Sequence, residues 1–110
     1  NKVLEAMAMG KPVVASRLGG LEELIGGDGS RGVLVDLFDS NESTYVAPPA
    51  LTEDASNRLA EGVIALLEEP ERAKAVGEAG RRYVLEHFDW NVMVERILRV
   101  YRGEPAPSPA

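Results

Sequence analysis

At 110 residues, with 45% hydrophobic and 27% charged residues, the chain has the size and composition of one small globular domain with a modest core. A formal charge of −6, from 18 acidic against 12 basic residues, with no basic cluster longer than Arg81-Arg82, leaves no electrostatic footprint for nucleic acid. The absence of cysteine rules out disulfides and thiolate metal sites, one histidine argues against zinc, and no apolar run nears the roughly 20 residues that span a bilayer.

The first sixteen residues, NKVLEAMAMGKPVVAS, predict a short helix, a glycine stop and a strand. Val3, Leu4, Ala6, Met7 and Met9 are helix formers or apolar residues that cover one face. Gly10 supplies the stop and Pro12 prevents continuation. Val13, Val14 and Ala15 then make a short apolar run of the kind found in a strand covered on both faces. Gly19-Gly20 opens a polar loop, followed by a short helix over about Leu21 to Ile25, in which Leu21, Leu24 and Ile25 share a face and Glu22 and Glu23 favour the positive helix start. After the turn-rich GGDGSRG, Gly32 to Val35 reads as a second buried strand.

Residues Asp36 to Asp54 carry Tyr45, Val46 and Pro48-Pro49 among turn formers and read as an irregular surface loop. A helix capped by Thr52 or Asp54 follows, with Leu59, Ala60, Val63, Ile64, Leu66 and Leu67 at helical spacing and an unfavourable Gly62 in its middle. Pro70 ends it and begins the next helix, whose apolar face is Ala73, Val76, Gly80, Tyr83, Val84 and Phe88. There Gly77 and Gly80 either weaken the helix or admit a close neighbour. Asp89 can cap a last helix bearing Trp90, Met93, Val94, Ile97, Leu98 and Tyr101, and residues 103–110 read as a disordered tail.

These elements give an α/β pattern with two short parallel strands and a helical C-terminal end. Two strands are too few for an independent parallel sheet. A chain entering inside an α-to-β step, with no cap ahead of Asn1, is therefore expected to be the C-terminal portion of a larger protein, with residues 1–102 as one structural unit. Expressed alone, it is expected to unfold with poor cooperativity.

Among the side chains, Glu5 stands on the first turns of a helix at the edge of an α/β sheet, where a carboxylate can accept hydrogen bonds from two ligand hydroxyls. The amides of Lys2, Val3 and Leu4, with the Lys2 ammonium, suit a diphosphate. Residue chemistry alone does not single out this arrangement, because a glutamate on a helix is more often a solvated surface residue.

Taken in order, NKVLEAMAMGKPVVAS, GGLEELI, GVLV and LLEEPERAKAVGEAGRRYVLEHFDWNVMVERILRVYR resemble the C-terminal end of the retaining glycosyltransferases of group 1 type. Those enzymes have two facing Rossmann-like domains, the GT-B fold, and include sucrose-phosphate and mannosyl transferases. The resemblance covers nearly the whole chain outside residues 36–54 and the tail. In that family a Glu, seven residues, Glu motif lies at the donor site, and its second Glu heads a run similar to EAMAMGKPVV. Glu5 matches that second Glu, and the resemblance implies that it hydrogen-bonds the donor ribose. The first Glu would fall ahead of Asn1. Where members commonly carry G-F-G before the second Glu, this chain has Asn1-Lys2-Val3-Leu4.

The resemblance further implies a nucleoside-diphosphate sugar as substrate, a glycan or lipid-linked acceptor, and a partner N-terminal Rossmann-like domain. It implies transfer with retention, no cofactor and no required metal, in a bacterial cytoplasm or at the inner membrane face. The basic pair that stabilises the leaving diphosphate in the family has no counterpart in these residues. Other features have simpler readings: Gly19-Gly20 as a turn, His87 as a packing or helix-dipole residue, and Glu68, Glu69, Glu71 and Arg72 as a solvated charge run. The Trp90 to Tyr101 stripe is either core or a docking surface. Two rival functions fit the same elements: a non-catalytic α/β module with a helical docking face, and a sugar-nucleotide epimerase of the same architecture.

Overall fold

The computed structural model describes residues 2–37 and 52–105. Asn1, most of the expected loop (38–51) and the end of the expected tail (106–110) lie outside the described residues. In chain order the elements are α1 (Lys2–Ala8), β1 (Val14–Ser16), α2 (Leu21–Ile25), β2 (Val33–Val35), α3 (Glu53–Glu68), α4 (Pro70–His87) and α5 (Trp90–Tyr101).

β1 and β2 pair in parallel, with Val14 opposite Val33, Ala15 opposite Leu34 and Ser16 opposite Val35, and α2 lies in the crossover between them. The first strand begins one residue later than the apolar run suggests. Val13 still joins the ladder through its carbonyl, which accepts from the Val33 amide at 2.9 Å, and the ladder ends where the Arg17 amide donates to Val35 at 3.0 Å.

The period-two alternation of a strand sorts these residues to two faces. Ala15 and Leu34, with Val13, pack on a core of Met7, Leu24, Ile25 and Val84, drawn from α1, α2 and α4. Val14, Val33 and Val35 face α3. The strands are thus covered on both faces, as their composition predicts.

α3 is capped by Thr52, whose hydroxyl accepts from the Ala55 amide at 3.1 Å, so the helix starts inside the stretch expected to be loop. Gly62 explains itself in this packing: a Cβ there would lie 3.2 Å from a methyl of Val14 and 3.2 Å from a methyl of Val35. Its propensity penalty is offset by the close approach of helix and sheet. The face applied to the strands is Ala55, Leu59, Gly62 and Leu66, whereas Ala60, Val63, Ile64 and Leu67 remain exposed. Two strands are too narrow to cover the whole apolar stripe.

α4 starts with Pro70 in its first turn and buries Val76, Gly77, Gly80 and Val84, settling the two glycines as close-packing positions. α5 begins at Asp89, which accepts from the Asn91 amide at 3.0 Å. It contains no buried residue. Gly103 and Glu104 still belong to its C-terminal turn, their amides bonding Val100 and Arg99, so order extends two residues into the expected tail.

Candidate functional site

α1 is amphipathic over only two turns. Lys2, Glu5 and Met9 share the exposed face, whereas Val3, Leu4 and Ala8 pack on the core and Met7 is fully buried. The Val3 and Leu4 side chains therefore pack inward on the core. The Glu5 carboxylate is exposed and makes no hydrogen bond or ion pair among the described residues. It is an acceptor available for an external donor.

The other end of α1 is tightly finished. The Lys11 amide bonds the Ala6 carbonyl at 3.0 Å and the Gly10 amide bonds Met7 at 2.9 Å, with Gly10 at φ +72°, the paired bonds of a Schellman stop. The Met9 amide takes the Glu5 carbonyl at 3.1 Å. Ala8 is left for a side chain: the Arg81 Nη1 donates to its carbonyl oxygen at 2.5 Å. In the same region Gly77 of α4 lies directly against the Gly10 carbonyl.

The parallel strands β1 and β2 share one carboxyl edge, just beyond Ser16 and Val35. That edge is where open α/β sheets bind ligands. Arg17, immediately after β1, ties the same edge together. Its guanidinium donates to Glu22 of α2 at 3.0 Å and to Asp36, just past β2, at 3.0 Å. Those two hydrogen bonds, Glu22 first and Asp36 second, raise its pKa above the usual arginine value.

The remaining sequence candidates find structural places. Gly19 adopts φ +53° in the turn and Gly20 occupies the N-cap of α2. His87 is half-buried in the last turn of α4, its ring 4.4 Å from that of Tyr83 and its Nδ1 3.4 Å from Nη2 of Arg96. Trp90 and Tyr101 are 80% and 85% exposed, so the α5 stripe is not core within the described residues.

Two further arginines, Arg81 and Arg31, tie distant elements together. The Arg31 Nε donates to the Leu24 carbonyl at 2.9 Å and Nη2 to Glu23 at 3.1 Å, finishing α2, while its guanidinium lies 3.8 Å from the centroid of the Tyr83 ring on α4. No local pattern announces either residue, because each acts on a partner distant in the chain. Among the described residues no group of three or more His, Cys, Asp or Glu could hold a metal ion, and no helix is long and apolar enough to cross a membrane.

The architecture is mixed α/β, a parallel strand pair flanked by helices with a helical C-terminal end, and it matches a solved protein of the GT-B class. Sucrose-phosphate synthase from Thermosynechococcus elongatus superposes with a TM-score of 0.70 at 30% identity, over 93% of this chain and 21% of that one. Residues 1–69 match the family model described as Glycosyl transferases group 1. Alpha-maltose-1-phosphate synthase of Mycolicibacterium smegmatis is 41% identical over 99 residues, covering 90% of this chain and 23% of the relative. A Corynebacterium glutamicum protein, GDP-mannose-dependent monoacylated alpha-(1-6)-phosphatidylinositol monomannoside mannosyltransferase, is 32% identical over 102 residues, covering 93% of this chain and 22% of the relative. The chain belongs to the group 1 glycosyltransferases. It spans less than a quarter of the length of these relatives.

Proposed function

We propose that this chain contributes part of the donor site of a retaining glycosyltransferase, with Glu5 accepting hydrogen bonds from the ribose hydroxyls of a nucleoside-diphosphate sugar. The observation that carries the reading is an exposed carboxylate that makes no hydrogen bond or ion pair among the described residues, on the helix that heads the family-matched block. In this reading the Lys2 ammonium and the backbone amides of Lys2, Val3 and Leu4, in the residues just ahead of Glu5, receive the diphosphate.

An acceptor hydroxyl attacks the anomeric carbon, the nucleoside diphosphate leaves, and the configuration at that carbon is retained. Cations and oriented dipoles stabilise the charge developing on the leaving group, with no metal or organic cofactor required. Glu5 positions the donor and takes no part as nucleophile. The acceptor-side groups come from residues outside this chain, in the facing Rossmann-like domain. A relative whose name specifies GDP-mannose and a phosphatidylinositol mannoside supports the classes of nucleotide-sugar donor and glycan or lipid-linked acceptor. With such an acceptor the enzyme works in the cytoplasm, peripherally at the inner face of the membrane.

The test is steady-state kinetics of the full-length enzyme carrying Glu5→Ala or Glu5→Gln. Losing a charged acceptor for ligand hydroxyls should raise the donor KM about 10- to 100-fold and leave the acceptor KM unchanged. Donor kinetics identical to the unmodified enzyme would sink the assignment. The uncovered apolar face of α5 favours a second reading, a docking module without catalysis. An absence of nucleotide-sugar binding by the full-length protein would select it.

A further inference from the structure

The Glu5 helix is short, and beyond its core packing it receives a side-chain hydrogen bond at the end opposite its proposed ligand. Within α1 and the turn that follows, backbone amides occupy the carbonyls of Glu5, Ala6 and Met7, and the Ala8 carbonyl receives the Arg81 guanidinium instead. Arg81 reaches it across 73 residues of sequence, from the exposed flank of α4. The aliphatic part of its side chain also borders Gly10, since a Cβ on Gly10 would sit 3.9 Å from the Arg81 Cδ. A cation at a helix C-terminus complements the partial negative charge of the last carbonyls, so the contact is both a hydrogen bond and a dipole interaction.

We infer that Arg81 is a positioning residue for donor binding: it fixes the C-terminal end of α1 and thereby the place and tilt of Glu5. Ala8 lies only three residues beyond Glu5, about 4.5 Å along the axis, so a rigid helix of this length transmits a shift at one end almost undiminished to the other. Buried Met7, the packing of Val3, Leu4 and Ala8 on the core and the contact of Gly77 with Gly10 hold the body of the helix, all of them through apolar or van der Waals contact that does not fix its tilt by direction. Arg81 adds a directional hydrogen bond at the carboxyl end. Nothing about Arg81 requires it to touch the substrate.

This inference rests on the donor-site reading of Glu5, and the experiment separates the two. In the full-length enzyme, donor KM, kcat and melting temperature are measured for Arg81→Met, Arg81→Lys, Arg82→Met and Glu5→Ala. Arg82 is exposed and has no hydrogen bond or ion pair among the described residues, which makes it the neighbouring control. Arg81→Met should raise the donor KM about tenfold with kcat within about twofold, the scale expected when support for a ligand-binding residue is removed. Arg81→Lys, whose ammonium can still reach a carbonyl, should fall between Arg81→Met and the unmodified enzyme. Arg82→Met should leave all three quantities unchanged.

A donor KM unmoved in Arg81→Met while Glu5→Ala raises it would overturn the positioning role, even if the melting temperature fell. Equal effects of Arg82→Met and Arg81→Met would overturn it too, by reducing it to a general charge effect. If Arg81→Met does not fold, Arg81→Lys decides: a raised donor KM supports the role and an unchanged one overturns it. An unchanged KM in Glu5→Ala defeats the donor-site reading itself.

Discussion

Gly77 of α4 faces the carbonyl of Gly10 so closely that a methyl group at position 77 would collide with that oxygen. Helix propensity alone says that Gly77→Ala should stabilise α4 by about 1 kcal/mol. The obstacle here is backbone, inside a Schellman turn that cannot rotate out of the way, and overpacking of this kind costs about 1–3 kcal/mol. The collision should win. Gly77→Ala is expected to lower the unfolding midpoint, read by circular dichroism at helical wavelengths; a raised midpoint would show that α1 and α4 stand further apart than described.

How far the sequence reveals this arrangement depends on the range of the interaction. The α1, Gly10, β1 succession is legible because every signal in it is local: helix formers, a left-handed glycine and a proline that blocks continuation. Thr52 and Asp89 are legible as caps for the same reason. Gly77 and Gly80 announce a close approach without naming the neighbours, since these lie far upstream: the turn after α1 for Gly77, and the Arg31 carbonyl with Met7 for Gly80. Arg31 and Arg81 are invisible, their acceptors being backbone carbonyls that carry no sequence signature. The apolar stripes of α3 and α5 misdirect in another way, because periodicity marks a face that seeks cover without showing whether this chain supplies it. At the candidate site, the place of Glu5 follows from helix geometry, whereas its role comes from the family, because a carboxylate on a helix is chemically unremarkable.

Arg31 should be the costliest surface-reachable side chain to remove. It closes the two last-turn carbonyls of α2 and stacks on Tyr83, so Arg31→Met forfeits charge-assisted hydrogen bonds and a cation–π contact together, about 2 kcal/mol. Arg31→Lys should recover less than half, since an ammonium cannot reproduce the planar fork that reaches both carbonyls while lying over a ring. Amide hydrogen exchange in α2 is the local readout. The Gly26 amide, bonded to Glu22 at 2.9 Å, should exchange faster in both variants. Unchanged protection there would mean that α2 does not depend on this arginine.

Trp90 is the only tryptophan in the chain and is 80% exposed at the first position of α5. In dilute solution of the 110-residue chain its fluorescence should resemble that of a solvated indole and be readily quenched by acrylamide. Ile97 and Tyr101, 52% and 85% exposed, extend the same uncovered surface. Apolar area of this kind drives association when it is contiguous. A rise in concentration should therefore shift the emission to shorter wavelength. A blue-shifted, quencher-resistant spectrum that does not change on dilution would contradict the exposed placement of α5.

The turn before β2 has a pH dependence whose sign can be worked out. The Asp28 carboxylate accepts the Ser30 amide at 3.0 Å and the Ser30 hydroxyl at 2.8 Å. These bonds, the backbone amide first, favour the ionised form and lower the pKa of Asp28 below its ordinary value of 3.8. A group whose pKa is lower folded than unfolded binds protons more weakly in the native state. Its stabilising contribution is fully present above the unfolded pKa and disappears as pH falls through the folded one. The turn should therefore be insensitive to pH near neutrality and loosen only on the acid side of 3.8. Carboxyl-detected NMR titration should give Asp28 a midpoint below that value, and Ser30→Ala, which removes the hydroxyl but keeps the amide, should move it part of the way back. A midpoint at or above 3.8 in the unmodified protein would mean that the Ser30 bonds are not populated in solution.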